Sequence, residues 1–262
     1  MESVDAIVLA GDRGPDDPLA QAARVAGKTL VPVAGEAMLS RSLRALAAWK
    51  RLGRVFLVAP LTPDYQSAAQ ASGLAGGRLV MIEPAASPSA SVDKALAAAG
   101  SKRPLVLTTA DHVLLDHQWL DLLVDDTSPA DLLVGLVRHG QVMQRFPNSR
   151  RTRYRFSDQS VCGTNLFVFR SGRADAVVRR WREVEQQRKR PWRVVAMLGW
   201  VNLGRYLAGR LSLQDGFEAL STALGVAVSA HLLNDPLAAV DVDSAADLAM
   251  VESVLAEAAS QC

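Results

Sequence analysis

Cysteine is nearly absent from this chain: 262 residues contain two, Cys162 in mid-chain and Cys262 at the end. That leaves no disulfide framework and no zinc cluster, and it suits a reducing cytoplasm. No histidine stands close to Cys162 in sequence to activate it, so it reads as a small buried hydrophobe and not as a nucleophile. No apolar run reaches the length of a bilayer span. Met1-Glu2-Ser3-Val4-Asp5 has neither the basic start nor the long apolar core of a signal peptide. The expectation is a cytoplasmic protein without a transmembrane segment. Internal repeats and low-complexity tracts are missing too. What is there is an ordinary globular composition, 49% hydrophobic and 21% charged, long enough to bury a full core. We read residues 1–262 as a single domain.

Net charge is small as well, a formal +2, but the total conceals an asymmetry. Between Arg138 and Arg193 there are 15 Arg or Lys against 4 Asp or Glu, a local excess of about +11, while the remainder is acidic. An anionic partner is therefore expected here. Nucleic acid is not the expected one, because the arginines lack a recognition helix or an aromatic stacking platform.

Along the chain, apolar runs of strand length alternate with stretches of helical period, the pattern of a sheet with crossover helices. Strands are expected at Ala6–Ala10, Arg54–Ala59, Arg78–Ile82, Leu105–Thr109, Asp131–Val137, Asn165–Phe169 and Val226–Leu232. The clearest helices are Met38–Trp49, Ser91–Ala99, Gln118–Val124, Arg173–Gln187 and Ala245–Ala258. Residues 190–224 read as a helical insertion before the last strand.

Three segments carry chemistry. The first strand runs into Gly11-Asp12-Arg13-Gly14, with Lys28 following. Glycine lets backbone approach phosphate oxygens, loop N–H groups donate to them, and an ammonium neutralises their charge. Thr108-Thr109-Ala110-Asp111-His112 follows a buried strand, and ligands of open α/β sheets bind beyond the carboxyl ends of strands. Asp111 there is either a Mg²⁺ ligand or a helix cap. Ala239-Val240-Asp241-Val242-Asp243-Ser244 then leads into the last helix. Asp241 and Asp243 fall on one side of an extended segment, so either could complete a metal site with Asp111, while Asp243 or Ser244 caps the helix.

Leu9-Ala10-Gly11, Lys28, and Leu30-Val31-Pro32-Val33-Ala34-Gly35-Glu36-Ala37-Met38-Leu39 together resemble the signature of sugar-phosphate and cofactor nucleotidyltransferases, especially the molybdenum-cofactor guanylyltransferase-like NTP transferases. Ser87-Pro88-Ser89-Ala90-Ser91-Val92 is similar to that family's base-recognition segment, Thr109-Ala110-Asp111 to its metal aspartate, and Val242-Asp243 with Asp247-Leu248 to its C-terminal acidic motif. The order of these segments along the whole chain is the specific signal. The resemblance implies a three-layer α/β/α sandwich with a mostly parallel, mixed sheet, the glycosyltransferase-A-like nucleotidyltransferase fold. It implies that an acceptor phosphate oxygen attacks the α-phosphorus of an NTP and releases pyrophosphate. It further implies that Leu9, Ala10 and Gly11 contact the nucleotide, Lys28 its phosphates, Ser91 its base, and that Asp111 with Asp243 or Asp241 binds Mg²⁺; Arg13, by its own chemistry, either joins the phosphates or is a solvated charge. The sequence departs from the pattern at Asp12, where a second glycine is usual, and in the longer loop between Arg13 and Lys28. Ser91-Val92 resembles the cytidylyltransferase form of the base segment, which favours CTP. The alternatives are guanylyl transfer to a cofactor precursor and a nucleotide-sugar-dependent glycosyltransferase.

For the acceptor, the run from Gln144 to Arg155 offers Arg145, Arg151 and Arg153, and guanidinium forks suit the phosphate of a small phosphorylated acceptor. Thr164 and Asn165 either line the pocket or form a turn. Trp181, Trp192, Trp200 and Tyr206, set among arginines, are expected to pack the helical insertion in preference to meeting a membrane surface.

Overall fold

The computed structural model describes residues 2–11, 16–74, 77–185 and 199–260, the side chains of 182–185 excepted. Its centre is an eight-stranded sheet around β1 (Val4–Leu9). The strands are β4 (Leu52–Val58), β5 (Leu79–Ile82), β6 (Leu105–Thr109), β7 (Leu132–Arg138), β9 (Ser160–Phe169) and β10 (Val228–Leu233), in the spatial order β10-β7-β9-β6-β1-β4-β5. A short β8 (Tyr154–Arg155) pairs with β9. All neighbours in the central path run parallel except β9, which is antiparallel to both β6 and β7. A separate hairpin, β2 (Pro32–Val33) and β3 (Glu36–Ala37), was not expected from the sequence.

Side chains alternate along a strand, so β1 feeds two cores. Val4, Ala6 and Val8 pack with Leu39, Leu43 and Leu46 of α2 (Met38–Ala47), Tyr65 of α3 (Pro63–Gln70) and Leu120 and Leu123 of α5 (His117–Val124). Ile7 belongs to the opposite core, with Val92, Ala95, Leu96 and Ala99 of α4 (Pro88–Ala99) and Val178 of α7 (Asp175–Glu185). The result is the three-layer α/β/α architecture with a mixed sheet. In α4 the apolar residues recur at the spacing of one helix face, Pro88 opens the helix, Ser87 accepts the Ala90 N–H, and Gly100 ends it at φ 75°.

Where boundaries differ from the expectation, turn-like residues are the cause. β9 begins at Ser160, five residues before the expected Asn165. The pairing of β7 with β9 slips between Val134 and Leu136, and Asn165 sits in the left-handed region at φ 55°. Thr164 and Asn165, for which the sequence left pocket lining or a turn open, lie in a bulge inside a strand. The part of the expected insertion at 190–198, with Trp192, lies outside the described residues. The part that is described holds α8 (Trp200–Leu207) and α9 (Leu213–Leu224). Trp181 and Trp200 are not core residues: they are 54% and 71% exposed. α8 turns Tyr206 toward Phe156, 6.0 Å away edge-on, which leaves the opposite side of this short helix facing outward. Among the described residues no helix is long and apolar enough to cross a membrane.

At the amino edge of the sheet, buried Asp5 accepts from the Arg54 N–H at 2.9 Å, the Arg54 guanidinium at 3.1 Å and the Lys102 ammonium at 2.9 Å. Burial raises its carboxyl pKa, yet these donors outweigh burial and hold it below the usual range. The group therefore adds stability above the unfolded carboxyl pKa and loses it as pH falls through the lowered one. A Cβ at Gly53 would come within 2.2 Å of Asp5 Oδ1. Gly53→Ala is expected to cost about 1–3 kcal/mol by overpacking this cluster, read as a lowered urea midpoint. An unchanged midpoint would show that the cluster yields without cost.

Candidate active site

The sheet delivers three of the expected residues to one place at its carboxyl edge. The backbones there are tied across strand ends: the Ala110 N–H donates to Leu9 O at 2.9 Å, the Ala10 N–H to Val58 O at 2.8 Å, and the Val242 N–H to Asp111 O at 3.1 Å. The last of these bonds brings the C-terminal acidic segment to the tip of β6. Lys28 opens a 3₁₀ turn, Lys28–Leu30, and its ammonium donates to Asp111 Oδ2 at 2.7 Å and to Asp243 Oδ1 at 2.5 Å. The three residues are 83 and 215 positions apart in the chain pairs that meet.

Burial on its own would lower the Lys28 pKa, but the two carboxylates outweigh it and raise it above the ordinary lysine value. Lys28 is thus a fixed cation across the neutral range. Asp111 is held from its other side by the Thr109 hydroxyl, which donates to Oδ1 at 2.5 Å. It caps no helix: the cap of α5 is Asp116. His112 is buried and stacked on Trp119 at 5.7 Å, and burial pushes its pKa down to about 4, so the ring is neutral at pH 7.

Asp241 and Asp243 have different partners. Asp243 faces Lys28 and is half exposed. Asp241 pairs with the Arg151 guanidinium and accepts from Asn165 Nδ2 at 2.8 Å. The helix cap expected at Asp243 or Ser244 is Ser244, which accepts the Asp247 N–H at the start of α10 (Ala245–Ala259). Asp247 accepts from Arg151 Nη2 at 2.9 Å. Four carboxylates, of Asp111, Asp241, Asp243 and Asp247, thus meet two cations, Lys28 and Arg151, and the cluster is left acidic.

Of the remaining expected residues, Leu9 and Ala10 stand at the same strand edge, where the Ala110 N–H meets Leu9 O. The Ala10 N–H is taken by Val58 O, so its amide is engaged within the protein. Gly11 is exposed with open space above it: a Cβ there would meet nothing within 4 Å. Leu9 is the last residue of β1, and Arg13 lies outside the described residues. Ser91 is buried in the first turn of α4, where its hydroxyl accepts the Ala85 N–H at 2.9 Å and shapes the loop leaving β5. Cys162 is a buried free thiol whose pKa burial raises, as expected of a hydrophobe.

The arginine run divides. Arg145 pairs with Glu257 of α10 on the surface at 2.5 Å. Arg151 is turned inward onto Asp241 and Asp247. Arg153 donates to Ser160 Oγ at 3.1 Å and lines an open groove of about 500 Å³ with Arg138, Gln141, Gln144 and Gln159, after α6 (His139–Arg145) has left β7. Register explains where the groove stands. β9 pairs with β6 only as far as Leu107↔Phe167, whereas it follows β7 out to Arg138↔Val161, so the two strands project past the tip of β6. No role was expected of Thr109, Arg138, Gln141 or Gln159, whereas Asn165 and Arg153 were already candidates from the sequence. The threonine two before Asp111 was a usable signal, while the groove depends on strand overhang that no local pattern encodes.

The model of the MobA-like NTP transferase domain matches residues 6–198. No curated protein matches the sequence. Among solved structures, a hypothetical transferase from Thermus thermophilus superposes with TM-score 0.78 at 25% identity, over 95% of this chain and 100% of that one. A 4-diphosphocytidyl-2C-methyl-D-erythritol synthase from Anaerococcus prevotii superposes with TM-score 0.59 at 11% identity, over 97% and 96%. A CMP:2-keto-3-deoxy-manno-octonic acid synthetase complexed with CTP gives TM-score 0.59 at 12% identity, over 98% and 99%.

Proposed function

The chain belongs to the MobA-like NTP transferase family, and from that premise we propose that it transfers CMP from CTP to a small phosphorylated acceptor, with release of pyrophosphate and with Mg²⁺. It is an enzyme, a nucleotidyltransferase on a glycosyltransferase-A-like sheet. Membership selects nucleotidyl transfer over glycosyl transfer from a nucleotide sugar.

The observation that carries the reading is the convergence of Lys28, Asp111 and Asp243 at the strand edge. In-line transfer asks the protein for positioning and for neutralisation of phosphate charge. Lys28 supplies a permanent cation to the phosphates and can do so only by sharing or leaving its carboxylates. Gly11, with open space above its backbone, lets phosphates approach, and Leu9 and Ala10 hold the strand end beneath them. Arg13 joins from the same loop in this reading.

The residues fit a hard divalent cation: the oxygens of Asp111 and Asp243 already accept a cation, the Lys28 ammonium. Among the described residues no group of three or more His, Cys, Asp or Glu gathers for a metal. A pair of carboxylates suits Mg²⁺, which usually takes one or two beside phosphate oxygens. Asp111 and Asp243 would hold it, and Asp241, engaged by Arg151, would not. When bound, Mg²⁺ supplies charge neutralisation on the phosphates.

Ser91 supports base recognition through the loop it shapes, and the Ser91-Val92 segment favours CTP. The CTP held by the CMP:2-keto-3-deoxy-manno-octonic acid synthetase is in keeping with that choice. The acceptor reading rests on the groove at Arg138 and Arg153, whose guanidiniums suit a phosphate and whose glutamines suit hydroxyls. Arg145 belongs to it only by release from Glu257. A reaction on a free nucleotide places the enzyme in the cytoplasm in this reading.

The test is a pyrophosphate-release screen of four NTPs against pooled phosphosugars, phospho-alcohols and cofactor precursors, with Mg²⁺ present. CTP with one phosphorylated pool is the expected hit. GTP with a cofactor precursor would replace the base, and silence with every pair would overturn the reading. With the acceptor in hand, Arg153→Gln should raise its KM about tenfold and leave the CTP KM alone, since charge-assisted contacts contribute roughly 1.5–3 kcal/mol.

A further inference from the structure

We propose that Arg151 is a positioning residue that, with Asn165, clamps the C-terminal acidic segment so that Asp243 and not Asp241 faces Lys28 and Asp111. The inference rests on the nucleotidyl-transfer reading and deepens it. The sequence put Arg151 among three acceptor arginines, but the structure turns it away from the groove that Arg153 lines. Its side chain is only 11% exposed. One end of the guanidinium pairs with the Asp241 carboxylate, and the other donates to Asp241 O at 2.5 Å and to Asp247 Oδ1 at 2.9 Å. A fork spread over two carboxylates and a carbonyl is a geometric fixture and leaves little of the cation for a substrate phosphate.

The clamp reaches the site through Asp247. Its second oxygen accepts the Ser244 hydroxyl at 2.6 Å and the Asp243 N–H at 3.3 Å. Arg151 therefore grips the same carboxylate that fixes the backbone of Asp243, and Asp243 in turn is 2.5 Å from Lys28 Nζ. From the other side Asn165 donates Nδ2 to Asp241 Oδ2 at 2.8 Å. Asn165 does so from a left-handed conformation at φ 55°, within the bulge of β9. Asparagine is among the few residues that adopt it readily, and such outliers cluster where surrounding structure requires them. Asp241 is thereby consumed as a counter-ion. Without Arg151, Asp241 and Asp247 would repel each other at the base of the turn that presents Asp243.

The clamp has a second consequence. Arg151 lies in the segment between α6 and β8 that also carries Arg153, so the groove wall and the acidic edge are held in one register. A disturbance at Arg151 should reach the acid side first, through Asp243, and the acceptor side only weakly.

The experiment compares Arg151→Gln, Arg151→Lys, Asn165→Gly and Arg153→Gln. Steady-state pyrophosphate release gives kcat and both KM values. Mn²⁺ binding to the protein without nucleotide, followed by the electron paramagnetic resonance of free Mn²⁺, reads the acidic edge without turnover. Partners that orient metal ligands typically alter metal affinity or activity about 10–100-fold. Arg151→Gln should therefore weaken Mn²⁺ about tenfold and cut kcat similarly, with the acceptor KM within about twofold. Arg151→Lys should recover part of both. Asn165→Gly keeps the backbone conformation accessible and removes the side chain alone, so it should weaken Mn²⁺ in the same direction and serves if Arg151→Gln does not fold. Arg153→Gln should leave Mn²⁺ binding as in the unaltered protein. A raised acceptor KM for Arg151→Gln with unchanged Mn²⁺ affinity would make Arg151 an acceptor ligand and overturn the proposal, as would unchanged Mn²⁺ binding in both Arg151→Gln and Asn165→Gly. Absence of turnover in the unaltered protein would count against the reaction alone, because the Mn²⁺ arm still decides the clamp.

Discussion

Asp111→Asn should reduce kcat on the order of 10²–10³-fold while the protein stays folded, because it removes one carboxylate that would hold Mg²⁺ beside the reacting phosphates and little else. The amide is nearly isosteric with the carboxylate, and its carbonyl oxygen can still accept from the Thr109 hydroxyl, now 2.5 Å from Oδ1. The Asp111 main chain, which accepts from the Val242 N–H, is untouched. Lys28 keeps Asp243 as a partner. The check is single-turnover pyrophosphate release alongside thermal unfolding: lost turnover with a midpoint within a few degrees is expected. Full activity would remove Asp111 from the chemistry. Asp243→Asn should follow with a smaller but large loss, and Asp241→Asn should lose less than Asp243→Asn. The reverse order would make Asp241 the ligand.

Lys28→Met should lower kcat/KM for the nucleotide by about 10²-fold. Methionine retains most of the apolar stem, and the Lys28 side chain is only 7% exposed, so packing is largely kept and the charge is what goes. Two carboxylates then lose their shared counter-ion, which raises the local negative charge where a triphosphate must approach. A normal KM and a normal rate would show that the ammonium serves only its two aspartates. The pH profile gives a second reading of the same residue. Its pKa is raised in the folded state, so the charged form adds stability fully below the unfolded lysine value, and that stability is lost as pH rises through the folded one. No limb from Lys28 is therefore expected in the rate profile at neutral or mildly alkaline pH.

How much of this was legible beforehand depends on the range of the interaction. The β1 strand and the buried run before Asp111 were readable because hydrophobic period is a local property. Lys28, Asp111 and Asp243 were identifiable as residue types at strand and helix ends, through their resemblance to a family signature. Their meeting was not, since they lie far apart in sequence and are joined by one mixed sheet and one backbone bond from Val242 to Asp111. The choice between Asp241 and Asp243 is the sharpest case. Alternation along an extended segment put both on one side, and only packing against Arg151 and Asn165 distinguishes them.

By itself the sequence determined the alternation of strands and crossover helices, which follows from periodicity, and the family, which follows from ordered local motifs and carries the layer architecture with it. Tertiary structure alone decided which arginine meets carboxylates and which lines a groove, and that Trp200 faces outward. An arginine has the same local pattern whether its partner is Asp247 or a phosphate. The partner is set by which distant strands pair and by how far β7 and β9 project beyond β6, and strand pairing is a property of the assembled sheet.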